Sequence, residues 1–558
     1  MRKKLYKPAA VMLTACMLLP TFTALAASPT DAGAILRDLQ QTERKLPERQ
    51  VPHMTVDTEI KPPMVNDNGF KMVVKHYRIS GQDVFKNAEL ITLLTPYTNK
   101  EMTMASLQEV ANLLAKYFRD HGYFIAQAYL PVQEINDGTV EIAVIVGRCG
   151  DILLNNQSSV PDSIIKTQLA GIQPGAYIQT SIMERAALLV SDLPGVSVRT
   201  TLIPGKLPGT TDIVVEAKSK GEVWQGSLSE TNWGNRLTGY NQSTLNVSVN
   251  NPFQQGDNLT ASILKAGSGQ DTGSIGYHIP LSEGSTLNVN YSKVYYELGA
   301  DMAALNAYGT AYTKHADWTY ALKRSRASNY SVQLGYDHKS MEDKIDSQDN
   351  NTTKWSHMTS LGLFGDSNDN WLGGGANSYN VTGYTGSTAG TNNQGTTLNT
   401  GNWTKTTYSV IRQQYLRERV SLFLSFSGQI AGSNLDSSEK FSLGGANAVR
   451  AYPSGEAAGD EAWLGTAEIR YALPPNTNGT FWQLAAFYDT GTSYLEKNQI
   501  TPGQNRRSIS GAGLGASYIL PGNYVLKATY AWKAGHEAAQ SDSTFGNGHL
   551  WLQGVKYF

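Results

Sequence analysis

The chain has 558 residues, with 46 Lys and Arg against 47 Asp and Glu for a formal net charge of −1. It is rich in Gly (53) and Tyr (29), and only 17% of it is charged, below the ~25% of an average soluble domain. No basic surplus marks it for nucleic acid, two cysteines cannot build a disulfide framework, and beyond the first residues no apolar run of ~18 could cross a bilayer as a helix.

Residues 1–26 read as a signal peptide: Arg2, Lys3, Lys4 and Lys7 form a positive start, an apolar stretch runs from Ala9 to Leu25, and Ala24-Leu25-Ala26 is a small-residue cleavage site. Leu13-Thr14-Ala15-Cys16 offers a rival lipoprotein site, but the apolar run continues past Cys16 to Leu19. Export removes four cations and leaves Cys149 alone, so the mature fold holds itself without an internal disulfide. If this chain lies in a membrane, it does so as a closed barrel, the other structure that satisfies its own backbone there.

Within 27–50, residues 28–46 predict a short amphipathic helix with Ile35, Leu36, Leu39 and Leu46 on a narrow stripe, ended by Pro47. A loose tail fits the same features. Residues 51–69, with Pro52, Pro62 and Pro63, predict an extended linker.

Two copies of one α/β unit follow, over 70–148 and 149–220. The first is expected as a strand from Met72 to Ile79, a short helix near Asn87–Leu94, and a longer helix capped by Thr103. That helix carries Leu107, Val110, Ala111, Leu114 and Phe118 at helical spacing and stops at Gly122. Strands Tyr123–Leu130 and Thr139–Val146 close the unit across the turn Asn136-Asp137-Gly138. The second copy begins near Ile152–Leu154 and has a helix from Pro161 to Ala170. A further helix, capped at Thr180, turns Ile182, Ala186, Leu189 and Val190 inward. The copy breaks at Pro194-Gly195 and ends in strands Val196–Leu202 and Thr211–Ala217.

From 221 to 558 the period changes to two. Leu245, Val247 and Val249 alternate with Asn and Ser, as do Leu287, Val289 and Tyr291; Tyr524, Leu526, Ala528, Tyr530 and Trp532 continue the pattern. Val420, Leu422, Leu424 and Phe426 alternate too, broken only by Phe423, and 374–402 reads as an Asn/Gly/Ser-rich connection. Alternation sustained over this length predicts an all-β transmembrane barrel of about 16 antiparallel strands. On the last strand Lys556 shares a face with Leu550 and Leu552 and is expected to snorkel.

Catalytic patterns are absent from the sequence: no HExxH, no CxxC, no phosphate loop, no metal-ligating cluster and nothing that calls for a cofactor. Gly511, Gly513 and Gly515 imitate part of a dinucleotide fingerprint, but inside a strand pattern they are expected to ease barrel curvature. Asp460 and Glu461 are paired in a loop without an evident pocket. The sequence therefore points to transport or binding rather than to an enzyme.

One arginine stands out. Arg450 lies in a Gly- and Pro-containing loop but between apolar neighbours, in Val449-Arg450-Ala451-Tyr452. Asp489 interrupts the apolar run Phe487-Tyr488-Asp489-Thr490-Gly491 of a later strand. A loop folded back into the lumen would let the two make a bidentate contact. An ordinary loop cation and a strand-end cap fit the spacing as well.

With these residues in view, the chain resembles the two-partner secretion transporters, the TpsB family of the outer-membrane assembly superfamily, which joins POTRA domains to a barrel. The resemblance rests on Val449-Arg450-Ala451-Tyr452 and Phe487-x-Asp489, on Gly122-Tyr123, Leu130-Pro131-x-Gln133 and Gly138, and on Asp192-Leu193-Pro194-Gly195-Val196. The superfamily commonly has Gly where this chain has Ala451, which bears on the turn at the loop tip.

The resemblance implies that the sixth extracellular loop enters the lumen with Arg450 against Asp489, and that the helix around Ile35, Leu36 and Leu39 plugs the barrel. It also implies that two periplasmic POTRA domains receive an unfolded partner exoprotein, haemolysin- or adhesin-like, which crosses the outer membrane without ATP. Two rival functions fit the same texture: an assembly factor for other barrels, and a passive porin or adhesin.

Overall fold

The computed structural model describes residues 30–40, 46, 53–56, 71–135, 137–393, 397–542 and 544–558. The expected signal peptide, the rival Cys16 site and most of the linker lie outside the described residues.

The first helix, α1 (Ala32–Leu39), is shorter than the 28–46 expected. Asp31 caps it by accepting from the Ala34 amide at 2.8 Å, and Leu46 is not helical.

In the first α/β unit a three-stranded sheet has Thr139–Ile145 at its centre, parallel to His76–Ser80 and antiparallel to Gln127–Tyr129. Helices α2 (Asn87–Leu94) and α3 (Met104–Asp120) cover it, and Leu90, Leu94, Leu107, Val110, Leu114 and Phe118 fill the core. The Thr103 hydroxyl accepts from the Ser106 amide, as its cap position predicts.

The strand expected from Met72 to Ile79 is two strands, Lys71–Val74 and His76–Ser80, divided at Lys75, whose amide donates to the Gly138 carbonyl. Lys71–Val74 pairs with Lys100–Thr103, a strand the sequence hides because Met102 is its one buried residue. The strand expected from Tyr123 shrinks to Gln127–Tyr129, because the Tyr123 amide still closes the end of α3 on the Phe118 carbonyl.

The second unit has a four-stranded sheet in the order His53–Val56, Val196–Pro204, Thr210–Ser219, Arg148–Gln157. Helices α4 (Asp162–Gln168) and α5 (Thr180–Ser191) pack on it. Thr180 is not the cap of α5. It is the first helical residue after Gln179, and its amide and hydroxyl both donate to the Gly122 carbonyl of the first unit, at 2.9 and 3.1 Å. Met183 is buried in this core, and Ile182, half-buried, packs against it as expected. Cys149 is buried in this core, and desolvation followed by the nearby Asp212 carboxylate pushes its thiol pKa up.

Sixteen strands then form a closed antiparallel barrel from Trp224–Thr231 to Gly548–Tyr557. The first and last strands join through five register pairs, Ser227–Tyr557 to Thr231–Gln553, against eight between the first and second. Alternation resolves into an outer and an inner face: Trp482, Leu484 and Tyr488 point outward while Phe487 and Asp489 are buried inside.

Phe423, the residue out of pattern, is buried with the Arg470 guanidinium 4.1 Å from its ring centroid. Residues 374–402 are not mainly a connection. They belong to two of the longest strands, Gly375–Asn392 and Thr397–Arg417, whose polar composition suits a wall that stands beyond the lipid. Lys556 reaches Asn523 in the turn that leads into the fifteenth strand, Tyr524–Lys533.

The second unit is fastened to one rim of the barrel. Arg324 forms a fork on Asp192 at 2.6 and 2.7 Å, Arg185 meets Glu283 at 3.0 Å, and Gln168 donates to the Ser282 carbonyl. The α/β units therefore share a side with the turns after the fourth and sixth strands. The long connection 432–460, between the eleventh strand (Val420–Ala431) and the twelfth (Glu461–Ala472), starts from the opposite rim.

Candidate functional site

Antiparallel register sets up the wall. In the twelfth strand and the thirteenth (Phe481–Tyr494), Thr466 lies opposite Asp489 and Glu468 opposite Phe487. Two-residue periodicity turns all four side chains to the lumen. Connection 432–460 folds inward onto this patch, and its tip is held by a turn in which the Tyr452 amide donates to the Val449 carbonyl.

Arg450 is buried there with both of its charge partners. Its Nε donates to Asp489 Oδ2 at 2.8 Å and Nη2 to Oδ1 at 3.0 Å, the bidentate geometry that suits a guanidinium to a carboxylate. Its backbone amide adds a third contact to Asp489, and Thr466 donates to the same carboxylate at 2.9 Å.

The remaining guanidinium nitrogen, Nη1, donates to Glu468 Oε2 at 2.7 Å, and Arg470 donates to the other oxygen of Glu468 at 2.7 Å. Two cations thus face two carboxylates, so neither loop nor wall buries an unbalanced charge. The guanidinium also lies 3.2 Å from the Phe487 ring centroid, and Trp551 of the last strand donates to the Arg450 carbonyl at 2.7 Å.

Val449 and Tyr452 are fully buried, and the Tyr452 hydroxyl donates to the Glu537 carbonyl at 2.8 Å. Gly511, on the fourteenth strand (Arg506–Leu520) opposite Asp489, leaves room for the Ala451 methyl; a Cβ there would collide with it. Gly513 gives the same room to the Phe487 ring. These glycines admit the loop tip, a more specific task than the curvature expected of them. Asp460 is structural: it accepts from Lys440 at 2.6 Å and from the Lys497 and Leu435 amides.

Helix α1 lies in the lumen. Ile35 and Leu36 are buried, and Leu39 packs beside them, against Val294, Tyr296, Leu298, Ala307, Ala311 and Met341 of the wall. Its N-terminus is fixed by charge: Lys354 of the eighth strand (Asn350–Asp369) holds Asp31 at 2.7 Å and Asp436 at 3.1 Å, and Asp343 accepts from the Ala32 amide.

Ser437 donates to Asp31 at 2.8 Å, and Gly33 is where α1 meets connection 432–460, since a Cβ would strike Ser437 and Ser438. Beside it Glu439 bridges Lys339 and Lys405 at 2.5 and 2.8 Å. Glu468, Lys354, Asp436 and Glu439 escaped sequence reasoning. Their one signal is charge at inward positions of barrel strands and in a loop beside the tip motif.

The residues singled out in the first unit have a different setting. Gly122 has φ +93° and carries the carbonyl that receives Thr180, while the Tyr123 ring packs on Phe85, Phe118 and Tyr177 and its hydroxyl accepts from Gln179. Together they make the joint between the two units. Gln133 pairs with the backbone of Glu141 in both directions, at 2.7 and 2.9 Å, and with the Pro131 carbonyl. Gly138, at φ +72°, turns the chain beside Lys75.

A closed barrel, α/β modules at one rim, a loop arginine docked on the wall and a helix in the lumen define an outer-membrane transporter with periplasmic POTRA domains. The family model "haemolysin secretion/activation protein ShlB/FhaC/HecB" matches residues 209–518, and that of the ShlB-type POTRA domain matches 72–147. The chain belongs to this ShlB/FhaC/HecB family. It is a two-partner secretion transporter of the outer membrane and moves a secreted partner protein.

It is 24% identical to the heme/hemopexin transporter protein HuxB of Haemophilus influenzae (strain 86-028NP) over 552 residues, 96% of each chain. The structure of CdiB from Escherichia coli matches with a TM-score of 0.71 at 20% identity, covering 90% of this chain and 93% of that one. BamA from Haemophilus ducreyi lacking POTRA domains 1–3 matches with a TM-score of 0.51 at 15% identity, covering 87% and 100%. At that identity the likeness to BamA is one of fold.

Proposed function

We propose that the two α/β units at the periplasmic rim bind a large partner exoprotein, haemolysin- or adhesin-like, while it is unfolded. The partner then passes through the lumen after α1 has left it. No nucleotide is consumed in this scheme: folding of the partner outside the cell keeps the chain from slipping back.

The observation that carries the reading is the lumenal filling. A helix fixed at its N-terminus by Lys354 and a loop tip fixed by Arg450 are anchored at different points of the wall, so the helix can leave its contacts with Ser437 and Ser438 while the tip stays docked. The loop cluster would then hold the barrel in shape during passage, with Arg450, Asp489, Phe487, Val449 and Tyr452 as its members.

The test is deletion of residues 70–220. Secretion of one large exoprotein into the medium stops while the barrel still inserts, and photo-crosslinkers placed in the units trap that exoprotein in wild-type cells. Capture of nascent barrel proteins instead would make the chain an assembly factor. Secretion, conductance and adhesion all left intact by the deletion would leave a passive porin or adhesin.

A further inference from the structure

On four neighbouring strands the outward face of the barrel changes from apolar to basic at one level. On the sixth strand (Ala307–Arg324) the outward residues Leu322, Tyr320, Trp318 and Ala316 give way to Lys314, and on the seventh (Ser328–Ile345) Val332, Leu334 and Tyr336 give way to His338. On the fifth (Ser285–Glu297) Lys293 follows Leu287, Val289 and Tyr291, and on the eighth His357 follows Leu363, Leu361 and Thr359. Register joins them: Lys314 lies opposite His338 and His338 opposite His357, while Lys293 is one outward position above Tyr291, which faces Lys314.

Their height is that of a lipid headgroup. Arg324, at the foot of the sixth strand, contacts the second unit, and Lys314 stands ten residues further along. At ~3.3 Å per residue and a tilt of ~40° the rise is about 25 Å, the height of a barrel's apolar band.

These cations lack anions of their own. Lys293 sits 5.5 Å from the centroid of the Tyr312 ring. Among the described residues neither Lys293 nor Lys314 pairs with a carboxylate, and the outward acids of the row above, Asp271 and Glu342, are taken by Lys265 and Lys344 at 3.1 and 3.0 Å. The His338 and His357 rings lie 4.5 Å apart and join through their Nδ1 atoms at 3.1 Å, with the Tyr336 hydroxyl 3.0 Å from His357 Nδ1. That leaves the Nε2 of each ring without a partner among the described residues.

Below the cations lies an apolar groove of about 470 Å³, lined by Ile275 and Tyr277 of the fourth strand (Gln270–Ser282), by Val289, Ala316 and Tyr336, and by Lys314 at its upper end. The short Ala316, between Val289 and Tyr336 in register, forms its floor.

We propose that this surface binds a phosphorylated glycolipid of the outer leaflet, with its phosphates on Lys293, Lys314 and the histidine pair and an acyl chain in the groove. Unpaired cations at headgroup level attract phosphate oxygens, and lysine and imidazole N–H groups give them charge-assisted donors. From the fifth to the eighth strand the cluster spans three strand spacings, about 14 Å. That is too wide for one phosphate and suits a headgroup with a phosphate at each end. The site lies outside the lumen, so it stands or falls separately from the path of the secreted partner.

The test uses the full-length transporter in dodecyl maltoside, bisphosphorylated lipid A as the probe and native mass spectrometry as the readout. A lipid A adduct is expected on the wild type. Lys293→Gln with Lys314→Gln is expected to weaken it at least about tenfold, the effect of removing two cations from an anionic surface. Lys293→Arg with Lys314→Arg should keep it, and Ala316→Trp, which fills the groove and leaves every charge in place, should weaken it. Heat-modifiability on gels checks that each variant has a folded barrel.

Equal binding by the wild type and by the chain carrying Lys293→Gln and Lys314→Gln overturns the proposal. So does equal competition by lipid A stripped of its phosphates, by cardiolipin or by inorganic pyrophosphate. Unchanged binding by Ala316→Trp overturns the acyl seat.

Discussion

Arg450 was visible in the sequence as a cation among apolar residues, and Asp489 as an anion in an apolar run. Their partners Glu468 and Arg470 were not, because a charge on an alternating strand looks like any lumenal polar residue until the loop is folded onto it. Arg450→Ala strands the buried Asp489 carboxylate and leaves Glu468 to Arg470 alone, and removing one partner of a buried pair costs about 3–5 kcal/mol. We expect it, like Asp489→Ala, to cut secretion by at least tenfold while heat-modifiable barrel still appears in the outer membrane. Normal secretion from both variants would remove the contact from the mechanism. Ala451 has its own counterpart: its methyl occupies the space left by Gly511. Gly511→Ala should therefore impair secretion and Ala451→Gly in the same chain should restore it, measured as exoprotein in the medium. Failure of the rescue would mean that the damage arises elsewhere on the strand.

At the scale of elements, local pattern carried furthest where one face is buried and the other wet. Helices α2 and α3 and the barrel alternation follow from it directly. It failed where chain geometry rather than burial decides: the break at Lys75, and Lys100–Thr103, whose one buried residue leaves no periodicity to read. The long polar strands Gly375–Asn392 and Thr397–Arg417 gave no apolar stripe because water can reach them above the lipid. Helix α1 was legible from its stripe, but its seat was not, since that depends on Lys354, Asp436 and Ser437 more than three hundred residues away. Gly33→Leu should drive α1 from Ser437 and Ser438, and Lys354→Met should leave Asp31 and Asp436 facing each other without their cation. Each is expected to raise the open-channel fraction in planar bilayers on the order of tenfold, a change of about 1.4 kcal/mol. Unchanged conductance in both would show that α1 is not what closes the lumen.

At the scale of the whole molecule, composition and the change of period near 221 were enough to separate α/β units from barrel, and sixteen strands match the count expected. What the sequence could not foretell is how unequal those strands are. The first three have eight or nine residues, whereas the sixth to the tenth have 18 to 21. A bilayer needs only ~9–11 residues of tilted strand. The rim facing the medium is therefore cut obliquely, low beside the seam and high across from it. A polypeptide emerging from such a mouth meets a screen on one flank and open water on the other, and it leaves the cell surface in a direction set by the cylinder itself.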